Sequence, residues 1–80
     1  MLNQIAITDL DRNLYNDIDN LSDFKAYAYG SREYQIVYSD LRGRGGIVYI
    51  GSGSSGETFW TDANSAEDVL LRFFDDDMSA

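Results

Sequence analysis

Fourteen carboxylates, a single lysine and no imidazole or thiol limit the chemistry open to this chain. Without His the commonest general base and metal ligand are missing, and so is the Ser-His-Asp arrangement. A nucleophilic Ser or Thr would have to be activated by Lys25. Paired carboxylates for glycoside hydrolysis could be drawn from so many acids, but that chemistry needs a cleft that desolvates one carboxyl and raises its pKa. A single small domain offers little room for such a cleft. No catalytic residue is assigned.

Three short stretches resemble ligand motifs and fail where those motifs discriminate. Asp9, Asp11 and Asn13 match the opening of a calcium-binding loop, yet Leu14 stands where Gly is required and Asn20 where a bidentate Glu is required. GSGSSGE at 51–57 is rich in glycine but lacks the lysine of a phosphate-binding loop and is not followed by a helix. RGRGG at 42–46 is one copy of an RNA-binding type of segment and reads as turn geometry supplied by Gly43, Gly45 and Gly46. The sequence therefore predicts no metal site and no cofactor.

The charge itself is informative. The net charge is −8, which opposes direct contact with nucleic acid or anionic lipid. Residues 1–23 hold five acids and one base, residues 24–61 three acids and four bases, and residues 62–80 six acids and one base. The acids are concentrated at the two ends, finishing in Asp75, Asp76 and Asp77.

Eighty residues at 44% hydrophobic content make one domain, 1–80. Without Cys no disulfide framework is expected. With neither a signal-like N-terminus nor an apolar run approaching about 20 residues, a cytoplasmic protein is expected.

Ile7, Leu10, Leu14, Ile18 and Leu21 recur at helical spacing and predict a first helix with Thr8 as N-cap and Asp9 and Asp11 in its first turn. FKAYAY, EYQIVYS, GIVYI and ETFWT, separated by glycine-rich turns, predict a four-stranded antiparallel meander. Ala66, Val69, Leu70, Phe73, Phe74 and Met78 predict a closing helix, capped by Asn64 or Ser65, with Asn64 and Glu67 approximating a capping box. The expected fold is α+β, with both helices on one face of the sheet. Its core comprises Tyr34, Ile36 and Tyr38 with Phe24, Ala26 and Ala28. The second face, carrying Tyr27, Tyr29 and one of Phe59 or Trp60, would be open.

In size, charge and element order the chain resembles the small acidic anti-CRISPR and DNA-mimic inhibitor proteins that phages use against host defence. That resemblance implies a stoichiometric inhibitor that occupies the DNA-binding surface of a CRISPR effector complex or another nucleic-acid enzyme. Acids one helical turn apart are about 5.4 Å from one another, comparable in scale with DNA phosphates at about 3.4 Å per residue. Asp9, Asp17, Asp19, Asp23, Glu67, Asp68, Asp75, Asp76 and Asp77 would then face Lys and Arg of a basic protein, and Tyr27, Tyr29 and Trp60 would supply desolvated anchors. The competing reading is a structural or regulatory module, monomeric or homodimeric, that docks or dimerises through an exposed aromatic sheet face. Salt separates the two: the first weakens steeply with ionic strength and the second does not.

Overall fold

The computed structural model describes residues 2–10, 18, 20–30, 33–51 and 58–79. They form an α+β domain in which five antiparallel strands follow one another in spatial order: β1 (Leu2–Ile5), β2 (Lys25–Tyr29), β3 (Tyr34–Ser39), β4 (Arg44–Tyr49) and β5 (Phe59–Asp62). One helix, α1 (Ala66–Ser79), closes the chain. The sheet has one strand more than the expected meander. β1 is only four residues long and puts Leu2 and Ile5 on opposite faces, so it carries no alternation long enough to read as a strand.

Register assigns the faces. Tyr29 pairs with Tyr34 and Tyr27 with Ile36, whereas Ala28 pairs with Gln35 and Ala26 with Val37. Directly opposed residues share a face, so Tyr27 and Tyr29 lie with Tyr34, Ile36 and Tyr38. Ala26 and Ala28 lie on the other side, which corrects the expected core. Each strand alternates in the expected way, but strand-to-strand phase depends on turn length, which alternation does not contain.

Both faces are covered. On one, Ala66, Val69 and Leu70 of α1 pack with Ile36, Tyr38 and Ile47. On the other, Leu10 and Phe24 are buried with Ala26, Val37 and Val48, and Ile5, Ile7, Ile18, Leu21 and Trp60 pack around them. The described parts of the acidic N-terminal segment cover the face of Phe24, Ala26 and Trp60, across the sheet from α1 and not beside it, while Tyr27 and Tyr29, expected on an open face, lie on the α1 side.

The described parts of that segment also differ from the expected first helix. Thr8 does not cap an α-helix; it lies inside a 3-10 turn, Ile7–Asp9, that ends at Leu10 in extended conformation (φ −70°, ψ 148°). A second 3-10 turn spans Leu21–Asp23. Residues 11–17 and 19 lie outside the described residues. Of the five residues at the 3-4-4-3 spacing, Ile7, Leu10, Ile18 and Leu21 reach one apolar layer, and Leu14 lies outside the described residues.

Close approach between layers depends on two glycines. A Cβ on Gly45 would stand 2.5 Å from the Val37 carbonyl oxygen and 2.6 Å from Cγ2 of Val69 in α1; one on Gly46 would stand 2.7 Å from the Trp60 ring. Both belong to β4, so of the three glycines expected to make the turn only Gly43, at φ +61°, does so. Its N–H donates to the Ser39 carbonyl at 2.9 Å, closing the hairpin, and its carbonyl accepts from Ala63 N–H at 3.0 Å, tying the hairpin to the approach to α1.

Candidate protein-binding surface

The start of α1 is set by reciprocal bonds. Ser65 Oγ accepts the Asp68 N–H at 3.0 Å, and Asp68 Oδ2 accepts the Asn64 N–H at 3.0 Å. Of the two expected caps it is Ser65 that caps, with Asp68 rather than Glu67 as the reciprocal acid. Asp68 also accepts from Arg72 Nε at 3.2 Å. The Asn64 N–H first, and Arg72 next, hold the Asp68 carboxyl below its ordinary value.

With Ala66, Val69, Leu70, Phe73 and Phe74 turned to the sheet, Glu67, Leu71 and Asp75 make an exposed stripe at four-residue spacing, and Leu71 is 66% exposed. Asp76 and Asp77 continue α1 towards its carbonyl end; their side chains lie outside the described residues. The acidic terminus is therefore helical, in a position that helix electrostatics disfavours.

α1 lies over β3, β4 and β5. The same face of β1 and β2 is left partly open beside it. Two adjoining depressions of about 400 Å³ each mark this border, and both include Leu2 and Glu67. One adds Tyr29, Leu70 and Leu71. The other adds Gln4, Tyr27, Tyr38, Asp40 and Ser65. Burial, and then the facing Asp40 carboxylate that accepts its hydrogen bond, push the Tyr38 phenol up.

The expected anchors are engaged within the fold. Tyr29 meets Tyr34 and Phe74 at ring separations of 6.1 Å each. Tyr27 is half-buried at the edge of α1. Trp60 is on the other face, edge-on to Phe24 at 6.3 Å and beneath the Arg44 guanidinium at 4.9 Å; it also covers the bare backbone of Gly46.

The expected acids divide between two layers. Asp9 and Asp23 belong to the N-terminal segment, where Gln35 Nε2 donates to the Asp9 carbonyl at 3.0 Å and Arg42 pairs with Asp23 at 3.1 Å. Asp17 and Asp19 lie outside the described residues. Glu67, Asp68 and Asp75 belong to α1, on the opposite side of the sheet. A single phosphate-like array on one side, as the sequence suggested, is therefore not formed. Asp40, Leu2, Gln4 and Leu71 were not expected at a surface site. Leu71 breaks the core stripe of α1 and could have been singled out on that ground; the rest depend on β1.

No helix among the described residues is long and apolar enough to cross a membrane. Among the same residues no group of three or more Asp or Glu is placed to hold a metal ion. Comparisons with protein families, curated proteins and solved structures match nothing.

Proposed function

We propose that this chain is a stoichiometric inhibitor of the anti-CRISPR type, binding a CRISPR effector complex or comparable nucleic-acid machinery of host defence and occupying its basic DNA-binding surface. The observation that carries the reading is the pairing pattern of the charges. Of the described bases, Arg42 is tied to Asp23, Arg72 to Asp68, Arg44 lies over Trp60, and Lys25 is exposed opposite Tyr38 on the α1 side. Glu67, Asp40 and Asp75 are exposed and have no ion pair among the described residues. The α1 side therefore presents Glu67, Asp40 and Asp75 against Lys25, an excess of carboxylates of the kind that speeds encounter with Lys and Arg and sets up complementary contacts. Occupancy, not turnover, is the mode of action.

A panel of purified CRISPR effector complexes, each incubated with equimolar chain before target DNA is added, tests the reading. Loss of DNA binding by at least one complex supports it. Unimpaired DNA binding across the panel at tenfold excess of the chain refutes it. The second reading, a regulatory docking module, is supported by the half-open β1–β2 border with Tyr27, Tyr29 and exposed Leu71. It requires binding that persists at high salt.

A further inference from the structure

β1 is the edge of the sheet: β2 pairs with one side of it, and no described strand pairs with the other. Leu2 and Gln4, two residues apart, point to the α1 side, at the levels of Tyr29 and Tyr27 respectively. Alternate residues of a strand are separated by about 6.8 Å. The two depressions are stacked along β1 at these two levels, one holding Tyr29 and the other Tyr27 and Gln4. A strand added to the free edge of β1 would present its own alternate side chains to them at the same interval.

The linings differ in chemistry. Leu2 and Glu67 are common to both; at the Leu2 level the other walls are Tyr29, Leu70 and Leu71, suited to an apolar side chain. At the Gln4 level, two phenol rings, Tyr27 and Tyr38, meet the carboxylates of Asp40 and Glu67, and no described base lines either depression. Carboxylates beside aromatic rings favour a guanidinium or ammonium.

We propose that the β1 edge takes up an extended segment of a partner protein that carries an apolar residue and, two positions away, an Arg or Lys. The main chain of the segment continues the sheet, and the two side chains fill the two depressions. This deepens the reading of the chain as a binder of basic proteins, and it names the element of the partner that is gripped.

The test uses the full chain, ¹⁵N-labelled, titrated with blocked threonine heptapeptides. The first carries Leu and Arg at alternate positions, the second Leu and Glu, and the third Leu and Arg as neighbours. Saturable shifts at the Leu2–Ile5 amides and at Tyr27 and Tyr29 are expected with the first peptide. It should bind about tenfold more tightly than the second, and the third should bind more weakly than the first because its side chains fall on opposite faces. Glu67→Gln and Asp40→Asn, both at exposed positions and the second keeping an amide oxygen to accept from the Tyr38 hydroxyl, should each weaken the first peptide about threefold. Equal affinity for all three peptides, or no saturable shift at β1, overturns the proposal. So does concentration-dependent broadening of β1 without peptide, which would make a second copy of the chain the occupant. A chain that blocks DNA binding by an effector complex yet leaves β1 unmoved overturns this proposal alone. Peptide binding without any inhibition retains the β1 site and overturns the proposed function.

Discussion

Gly45→Ala probes whether the seating of α1 depends on a bare backbone in β4. The new Cβ would stand 2.6 Å from Cγ2 of Val69 and 2.5 Å from the Val37 carbonyl oxygen. Carbon atoms pack at about 3.5–4.0 Å, so relief on the Val69 side requires a shift of about 1 Å, and a gap of that size forfeits between a quarter and a half of each dispersion contact it opens. Val69 is fully buried with Ile36 and Ile47. Overpacking costs about 1–3 kcal/mol; with both a backbone oxygen and a buried side chain in the way the upper part, about 2–3 kcal/mol, applies, and removing a glycine from a strand interior returns about 0.5–1 kcal/mol. The net expectation is a loss of about 1–2.5 kcal/mol. In a domain of this size each kcal/mol moves Tm by about 4–8 °C, so Tm should fall by about 4–20 °C in thermal unfolding followed by circular dichroism. The double variant Gly45→Ala with Val69→Ala should lose less than the sum of the single losses, because the side-chain half of the clash is gone while the carbonyl half stays. A Tm within about 2 °C of the parent for Gly45→Ala, or strict additivity in the double variant, would refute the reasoning.

Other outcomes follow from the ends of α1. Ser65→Ala removes the acceptor of the Asp68 N–H and should cost about 1 kcal/mol in urea unfolding. The folded state holds the Asp68 carboxyl below its ordinary value, so its contribution is fully present above the unfolded pKa of about 3.9 and is lost as pH falls through the lower folded value. The parent should therefore be more stable than Asp68→Asn at neutral pH, with the difference closing in acid below about pH 4; a difference independent of pH in a Tm series would count against the bond. Replacing Asp75, Asp76 and Asp77 together by Asn removes charge at a carbonyl end and should raise stability by about 0.3–1 kcal/mol per exposed group at low salt. In stopped-flow mixing with an inhibited effector complex the same triple variant should associate more slowly, and an unchanged rate would exclude the tail from the interface.

The closing helix was legible because Ala66, Val69, Leu70, Phe73 and Phe74 keep one period over two full turns and their face is what the fold buries. The middle strands were legible from alternation in KAYAY and YQIVYS. Misreading began where periodicity has two physical sources. Ile7, Leu10, Ile18 and Leu21 keep a helical spacing, yet these four pack on the sheet from 3-10 turns or irregular backbone, and Leu14 between them lies outside the described residues. Gly45 and Gly46 look like turn residues, but they thin the sheet where Val69 and Trp60 approach. Inter-strand phase is not contained in alternation, and it is phase that puts Tyr27 and Tyr29 on the α1 side. The acids are visible in the sequence as residues but not as a surface: four-residue β1 carries too little pattern to reveal the β1–β2 border beside Glu67 and Asp40.

In the proposed mode of action, carboxylates on the α1 side meet a basic DNA-binding surface. It is tested most directly by DNA occupancy of an effector complex in the presence of equimolar chain at about 0.05 M and about 0.5 M salt, with the DNA-free affinity of chain for complex measured alongside. DNA should be displaced at low salt, and the affinity of chain for complex should fall steeply at high salt. An affinity that is the same at both ionic strengths, or a chain that binds the complex while DNA stays fully bound, would contradict the claim.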